Sequence, residues 1–412
     1  MPRTRRRFAN LCFLLLVTAL TAACSRPQPL AGGTVLPTPT PTASAAEEAN
    51  VAADAPPAGS AAAPATPAPP DPGVLSDTAL AMQNYLTSLT DNGQFMGTVL
   101  VARNSELVLV GGFGLADVEI PLPASPEQRF RIGSITKQFT AAAILRLQEQ
   151  GLVDVNSPLS AYLPDYPNAD RITVHQLLTH TSGIPDYERL PVYMATIDQP
   201  VTTQELLDRF AELPLQFRPG ERFAYSSSNY MVLTRIIEVV SGKSYGDFLH
   251  DEFFAPLYMT KTGLDTGDVD APDRARGYII AGEQLGPARA MDMSIPSGAG
   301  ALVSNVYDLY GWMQALQFGV ALDPASVAQL FTPYVAMETG PGETPAAYGY
   351  GWIIDEHLGR ERIWHPGHIF GFAATVAAYP AEDATIVVLS NIEGTQVRRI
   401  QEELAQILFQ VP

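Results

Sequence analysis

The chain has 412 residues, of which 46% are hydrophobic and 17% charged, a composition that is ordinary for a globular protein and sufficient for a large core. Its formal net charge of -18 at pH 7 argues against nucleic acid and anionic membrane surfaces as partners, because a strongly anionic protein repels phosphate groups. The two cysteines, Cys12 and Cys24, both precede the predicted folded part. That part can therefore hold no intramolecular disulfide, thiolate zinc site or cysteine nucleophile.

The N-terminal segment has the pattern of a targeting sequence. Four arginines, at positions 3, 5, 6 and 7, precede an apolar run over residues 11–23 that is too short to span a membrane permanently. We predict a secretory signal peptide over residues 1–23, with a twin-arginine export route as the less favoured alternative.

Cys24 follows this run and resembles the lipid-modified cysteine of bacterial lipoproteins, although Thr21 stands where leucine is usual and Leu20 comes one step early. Residues 24–74 are rich in Pro, Ala and Thr and lack the large apolar side chains that offset chain entropy, so we expect a disordered tether. The sequence thus predicts an exported protein, anchored by a lipid on Cys24 at the extracytoplasmic side of the membrane. Ordinary cleavage that leaves a soluble secreted or periplasmic protein is the alternative.

Residues 75–412 are predicted to form one folded domain. Its predicted elements are, in chain order, a helix from Ser76, a hairpin over 96–117 with its turn at Asn104-Ser105, a helix from Ser134, a mainly helical stretch over 152–290, a helix capped by Ser304, four strands between 348 and 391, and a closing helix over 395–410. Strands near both ends of the chain around a helical middle predict an α/β (α+β) fold. One antiparallel sheet is built from both chain ends, flanked by helices, with an inserted all-helical lobe at about 152–290.

Lys137, one of only three lysines, is placed where a lysine is costly. It lies in the first turn of the helix predicted from Ser134, and residues 139–147 of that helix are almost all apolar, so protein should surround it. Burial and the positive end of the helix dipole both disfavour a charged ammonium, which predicts a neutral amine able to accept a proton. Residues three apart share a helix face, so Ser134 and Lys137 can form a serine nucleophile with its base.

The alternative is that Ser134 only caps the helix and Lys137 reaches solvent, and one Ser-x-x-Lys motif is weak evidence on its own. Five blocks in order strengthen it: "GSITKQFTA", "ITVHQLLTHTSGIPDY", "FAYSSSNYMVLTRIIE", "GAGALVSNVYDLYGWM" and "HPGHIFGF". Together they resemble the penicillin-binding serine hydrolases of the class C β-lactamase type, over about residues 75–412. That group includes D-alanyl-D-alanine carboxypeptidases, D-aminopeptidases and esterases. The resemblance implies the serine β-lactamase/D,D-peptidase-like fold and an acyl-enzyme formed on Ser134.

The block "YSSSNY" supplies Tyr225, and the resemblance implies that this tyrosine lies over the serine and exchanges the proton with Lys137. The pattern in similar enzymes is Tyr-x-Asn, where the asparagine holds the amide side chain of the substrate. Here Ser227 occupies that place, and Asn229 comes two residues later and is expected to point elsewhere. The departure weakens a β-lactamase or peptidase role more than it weakens hydrolysis.

Two segments compete for the third signature of the group. "KTG" at 261–263 matches literally, but no strand pattern follows it, so we predict that Lys261 is solvent-exposed in a loop. "HPG" at 365–367 lies between predicted strands and is the favoured match. The resemblance then implies that His365 hydrogen-bonds the substrate or helps to protonate the leaving group. It also implies that the backbone N–H groups of Ser134 and His368 bind the oxyanion and that Gly367 lets substrate lie along the strand.

Other candidate sites are weaker. Ser182 in "HTSG" lies where a helix is expected to enter a loop and is interpreted as a cap, and the histidine pairs lack a zinc motif such as H-E-x-x-H. No G-x-S-x-G occurs, which disfavours an α/β-hydrolase. The sequence thus predicts a monomeric serine hydrolase without metal or cofactor, acting on a small-molecule or peptide ester or amide, such as a small ester or a D-amino-acid derivative. The alternatives are a β-lactamase or peptidoglycan D,D-carboxypeptidase, and, from another class, a penicillin-binding sensor or non-catalytic binding module.

Overall fold

A computed structural model of the chain describes residues 76–268, 271–282, 284–340 and 344–410. The predicted signal peptide, Cys24 and the predicted tether up to residue 74 lie outside the described residues. Within the described ranges, no helix is both long and apolar enough to cross a membrane.

The helices are numbered in chain order. They are α1 (Asp77–Asp91), α2 (Thr136–Glu149), α3 (Val174–Leu178), α4 (Pro191–Ala195), α5 (Thr203–Asp208), α6 (Ser227–Ser241), α7 (Tyr245–Leu249), α8 (Ser297–Gly300), α9 (Val306–Gln317), α10 (Pro324–Leu330) and α11 (Val397–Phe409). Single 3-10 turns lie at Gly133–Ile135, Leu159–Ala161, Tyr187–Arg189 and Pro380–Glu382, and a π-helical turn at His250–Phe254 extends α7.

The strands are numbered likewise. They are β1 (Gly97–Arg103), β2 (Glu106–Phe113), β3 (Leu115–Asp117), β4 (Leu122–Pro123), β5 (Phe130–Arg131), β6 (Gly263–Leu264), β7 (Tyr278–Ala281), β8 (Gln284–Pro287), β9 (Leu302–Ser304), β10 (Val335–Ala336), β11 (Ala346–Tyr348), β12 (Ile353–His357), β13 (Arg360–Ile369), β14 (Phe372–Tyr379), β15 (Ala384–Ser390) and β16 (Ile392–Glu393).

The main sheet confirms that both ends of the domain build one sheet. Its eight strands lie in the order β10-β11-β12-β13-β14-β15-β1-β2, and every neighbouring pair is antiparallel. The β1–β2 hairpin turns at Asn104 and Ser105, whose φ angles are 53° and 60°. Two consecutive positive φ angles are typical of a two-residue hairpin turn, whose twist matches that of the flanking strands. This hairpin pairs through β1 with β15, from the C-terminal part of the domain.

Helices cover both faces of this sheet because its central strands alternate large apolar side chains between the faces. Val99 and Val101 pack with α1 and α11 in one buried cluster, whereas Leu100 lies in the other cluster with α2 and α9. The residues of α2 from Thr136 to Leu145 are all buried, in agreement with the prediction of a helix surrounded by protein. The cluster that contains Leu100, α2 and α9 also contains the residues that position the candidate site.

The middle of the chain is mainly helical, but the prediction of an all-helical lobe was wrong in detail. β7 and β8 form a hairpin that turns at Gly282, which has a φ of 66°, and β7 also pairs in parallel with β16 near the C-terminus. β6 pairs with β9, outside the lobe. These strands have only two to four residues, which is too short for an alternating pattern to be recognised in the sequence.

Two predicted helix starts also move. α2 begins at Thr136, and Ser134 lies before it in the 3-10 turn Gly133–Ile135. The helix predicted to be capped by Ser304 begins at Val306, since Ser304 ends β9 and the side chain of Asn305 accepts the hydrogen bond from the Asp308 amide at 2.8 Å. Asparagine and serine are almost equivalent caps, so adjacent candidates are not distinguished by the sequence.

Candidate active site

The turn that carries Ser134 is packed tightly against strand β13. A Cβ on Gly133, whose φ is 51°, would come within 2.8 Å of the His368 nitrogen, and a Cβ on Gly367 would come within 1.9 Å of the Ile132 carbonyl oxygen. That Gly367 also lets substrate lie along the strand stays a prediction. The space in front of Gly367 is filled by the backbone just before Ser134, and the missing Cβ lets the turn approach the strand.

Lys137 lies beneath Ser134, as the three-residue spacing predicts. Its Nζ atom lies 3.1 Å from the Oγ atom of Ser134, 2.8 Å from the carbonyl oxygen of Ala299 and 3.4 Å from the Oγ atom of Ser227. The lysine is 0% exposed, while Ser134 is partly exposed. The hydrogen-bonding partners of Lys137 are thus two hydroxyls and a carbonyl, without a carboxylate among them.

Tyr225 and Ser227 reach this lysine from the start of α6. Lys137 Nζ lies 4.9 Å from the centre of the Tyr225 ring, and the centres of the His180 and Tyr225 rings are 4.4 Å apart. Ser227 is 2% exposed and contacts Lys137 rather than open space. The position taken by asparagine in similar enzymes is therefore used here to hold the lysine.

His365 lies on β13 and is 2% exposed. Its Nδ1 lies 2.7 Å from the carbonyl oxygen of Pro366, to which it donates, and its Nε2 lies 3.1 Å from the hydroxyl of Tyr348. Burial lowers the pKa of His365 to about 3, because the interior disfavours the charged imidazolium. The ring is therefore neutral at ordinary pH, with both nitrogens hydrogen-bonded inside the protein.

Ser134 opens into a cavity of about 290 Å³. The residues that line it are Ser134, Glu188, Tyr193, Met291, Pro296, Ala299, Gly300, His368, Ile369, Phe370 and Glu393. His368, whose backbone N–H is the second predicted oxyanion donor, is thus in the same cavity as Ser134. A larger cavity of about 680 Å³ shares Met291 but contains none of the predicted site residues.

The arrangement places the cavity-lining hydroxyl of Ser134 against a buried amine, which also lies close to a phenol ring. Residues 82–409 match the model of the Beta-lactamase family. The chain belongs to the Beta-lactamase family.

Members of this family that resemble the chain include enzymes and penicillin-binding proteins. "Putative penicillin-binding protein PbpX" of Bacillus subtilis is 31% identical over 331 residues, which are 80% of this chain and 78% of the relative. The octameric penicillin-binding protein homologue from Pyrococcus abyssi superposes with a TM-score of 0.73, at 28% identity, over 81% of this chain and 78% of its own. The D-amino acid amidase of Ochrobactrum anthropi superposes with a TM-score of 0.72, at 26% identity, over 81% and 99% of the two chains.

Lys261 of this Beta-lactamase family member lies outside the Ser134 cavity, in the loop after the π-helical turn. It was predicted to be solvent-exposed, but only 34% of its side chain is accessible, and its Nζ lies 2.8 Å from an oxygen of Asp273. Thr262 hydrogen-bonds Ser304 and Asp308, so this Lys-Thr-Gly sequence ties a loop to α9.

Sequence reasoning missed Asp186 in the block "GIPDY". One of its carboxylate oxygens accepts from the Ser227 backbone N–H at 3.2 Å, at the N-terminal end of α6. Burial, together with the charge of Glu188, raises the pKa of Asp186 to about 6. No periodicity or spacing distinguishes this aspartate from those of ordinary loops, and only its contact with α6 indicates a role.

His180 and Ser182 take structural positions in the same region. Ser182 is 0% exposed and its Oγ atom donates to the Asn229 side-chain oxygen at 2.5 Å, while His180 accepts from the Ser226 amide at 3.3 Å. Asn229 therefore points away from the cavity, as predicted. The packing of the His180 ring against Tyr225 makes it a support for that tyrosine.

Proposed function

We propose that the chain is a serine hydrolase that cleaves an ester or amide through an acyl-enzyme on Ser134. The observation that carries the proposal is the 3.1 Å contact between the Ser134 hydroxyl and a fully buried Lys137 at the floor of a cavity. A serine hydroxyl is a weak nucleophile unless a neighbouring base takes its proton as it attacks. No metal or cofactor takes part in the reaction as proposed.

In the first half of the reaction, the Ser134 oxygen bonds to the carbonyl carbon while its proton passes to Lys137, with Tyr225 as the relay toward the leaving group. The carbonyl electron pair moves onto oxygen, and the backbone N–H groups of Ser134 and His368 stabilise this oxyanion. When the tetrahedral intermediate collapses, the leaving alcohol or amine takes the proton. Water then attacks the acyl carbon, and release of the acid restores the serine hydroxyl.

His365 acts in this scheme as a neutral hydrogen-bonding group. Because its pKa is lowered to about 3, it carries no proton to donate as an imidazolium near neutral pH. Its contacts with Tyr348 and with the Pro366 carbonyl fix the part of β13 that leads to His368. We expect its loss to disturb the oxyanion site rather than to remove an acid.

A fluorophosphonate probe tests the nucleophile. We expect Ser134 to be the only serine labelled, Ser134→Ala to abolish labelling with the fold retained, and Ser182→Ala to leave the labelling of Ser134 in place. Labelling of another serine, or persistent labelling of a folded Ser134→Ala variant, would contradict the assignment.

Turnover of short-chain esters, D-amino-acid amides and a chromogenic β-lactam tests the substrate class. The name of the Ochrobactrum relative supports the amides, and the names of the penicillin-binding relatives support the β-lactam. Rapid turnover of an ester or amide is the result that we expect. A stable penicilloyl adduct with slow deacylation, without turnover of the other substrates, would instead identify a penicillin-binding sensor.

We also propose that the protein is exported and carries a lipid on Cys24, which rests on the sequence pattern alone. In its host, the mature chain should partition into detergent and begin at a lipid-modified Cys24, and a Cys24→Ala variant should not. An N-terminal mass that corresponds to unmodified cleavage would identify a soluble secreted protein.

A further inference from the structure

The cavity at Ser134 is asymmetric in charge. Its lining includes two carboxylates, those of Glu188 and Glu393, and no lysine or arginine. Among the described residues, neither carboxylate lies within ion-pair distance of a basic side chain. Two negative charges with no internal counterion therefore face the space where a substrate must enter to reach Ser134.

Glu393 is held in place by the backbone. It ends strand β16, is only partly exposed, and its Oε2 atom accepts from the Gly371 backbone N–H at 2.9 Å. Gly371 directly follows Phe370, another residue of the cavity lining. One oxygen of the carboxylate is thus fixed by the protein, which preorganises the group for a ligand at little further cost in side-chain entropy.

Glu188 lies in the 3-10 turn Tyr187–Arg189 and is exposed. Its neighbour Arg189 points to Asp186, with Nε 3.9 Å from Oδ2, and 79% of the arginine side chain is accessible. Tyr193 lines the same cavity, and burial, with the charges of Glu188 and Asp186, raises its pKa.

The neighbouring cavity does not cancel this charge. It shares Met291 and Phe370 with the Ser134 cavity and is lined by four arginines. Of these, Arg131 and Arg274 both bind Asp265, and Arg276 binds Asp117 and Glu119, so that three carboxylates face these three arginines. The fourth, Arg289, donates to the Met194 carbonyl oxygen at 2.9 Å. Three of the four positive charges are therefore already matched by carboxylates.

We propose that Glu188 and Glu393 select small substrates that carry a primary ammonium group near the scissile carbonyl, such as α-amino esters and amides with a free amino group. The inference rests on the proposed serine-hydrolase function and adds the charge of the substrate. The remaining lining includes Met291, Pro296, Ile369 and Phe370, which suit a small apolar side chain. A substrate with a carboxylate at this place would be repelled by both glutamates.

The test compares alanine p-nitroanilide with its N-acetyl and N-succinyl derivatives, in D and L forms, so that only the charge at the amino nitrogen changes within each series. We expect kcat/KM to be at least about tenfold higher for the free amine than for the acetyl compound and lowest for the succinyl compound. In Glu393→Gln this preference should fall about threefold, and in the double variant with Glu188→Gln the free amine and the acetyl compound should be turned over about equally. Hydrolysis of p-nitrophenyl acetate, which carries no ammonium group, is measured on the same samples to correct each comparison for any change in the reactivity of Ser134.

Glu356→Gln is the matched control, because Glu356 is an exposed glutamate on β12 outside the cavity, and it should leave the preference unchanged. A preference that survives in the double variant, or a wild-type enzyme that favours the acetyl compound, would overturn the inference. If none of the anilides is turned over, the labelling of Ser134 by a fluorophosphonate is the readout: protection by alaninamide but not by N-acetylalaninamide would support the inference, and equal protection by both would overturn it. Failure of the hydrolase proposal is distinguishable, because Ser134 would then not react with the probe at all.

Discussion

Two lysines of this chain match catalytic signatures of similar enzymes, and their surroundings differ completely. Lys137 is 0% exposed, has no carboxylate among its hydrogen-bond partners, and contacts the partly exposed Ser134. Lys261 has 34% of its side chain accessible and lies 2.8 Å from Asp273. A buried amine beside a hydroxyl can exchange protons with it, whereas an ion-paired lysine in a loop stabilises structure. Burial and partners therefore distinguish the two lysines, which a match to a short sequence motif cannot do.

Replacement of Lys137 by methionine should have the largest effect. General-base catalysis by a positioned side chain contributes roughly a hundredfold to ten-thousandfold, so kcat/KM should fall by about that factor with any ester or amide substrate. Methionine has a similar length and avoids the cost of burying a polar group, so the fold should survive. Steady-state kinetics and thermal unfolding measure both effects.

Lys243→Met is the matched control. Lys243 is paired with Asp251, and 43% of its side chain is accessible, so both activity and stability should change little. Equal losses of activity in folded Lys137→Met and Lys243→Met would show that the buried lysine has no special role in the reaction.

The local contacts of the site could be predicted from the sequence only in part. The Ser134–Lys137 contact follows from helix spacing, and the hairpin at Asn104-Ser105 follows from turn chemistry. The packing of Ile132 against Gly367 and the contact of Asp186 with α6 join segments far apart in the chain, for which no local pattern exists. The short strands of the lobe form because distant partners supply their hydrogen bonds, a tertiary effect that outweighs local preference.

Gly367→Ala tests the close approach that holds the serine turn against β13. The new methyl group would lie 1.9 Å from the Ile132 carbonyl oxygen, so either the strand or the turn must move. Overpacking of this kind typically costs about 1–3 kcal/mol of unfolding free energy, and displacement of the oxyanion donors should lower kcat/KM at least about tenfold. Denaturant unfolding and kinetics on the same samples measure both.

Gly311→Ala provides the control, since a Cβ at this position on α9 would meet nothing within 4 Å. Alanine should there hold or raise stability by up to about 1 kcal/mol, because it is the better helix former. If Gly367→Ala behaves like Gly311→Ala, the turn and the strand are not held together as the distances indicate.

The buried imidazole of His365 predicts a pH dependence of stability. Its pKa is about 3 in the folded protein and about 6.5 when exposed, so between these values the unfolded chain binds more protons. Its contribution to stability is therefore complete above pH 6.5 and is lost as the pH falls toward 3, with a slope of at most about 1.4 kcal/mol per pH unit. His365→Gln should make the fall of unfolding free energy in this range shallower.

The raised pKa of Asp186, about 6, gives the opposite pH dependence of stability. The folded state here binds the extra proton, so this contribution to stability is lost as the pH rises from about 4 to 6. That contribution is present in every variant and cancels when their profiles are subtracted. A difference profile that is flat from pH 3 to 6.5 would show that His365 is not held neutral by burial.

The smallest effect is expected at Lys261, and it decides which segment is the third signature. Lys261→Ala removes a partly exposed ion pair with Asp273, which typically contributes about 0–1 kcal/mol, and it touches nothing in the Ser134 cavity. We expect kcat/KM of Lys261→Ala to stay within about twofold of the wild type. His365→Ala should lower kcat/KM at least about tenfold, because His365 lies on β13, the strand that carries His368, and the substitution removes its contact with Tyr348. The comparison requires matched thermal transitions, because an unfolded variant would imitate a catalytic loss. If Lys261→Ala were the damaging change, the signature would lie at 261–263, and the assignment of the His368 amide as an oxyanion donor would be wrong.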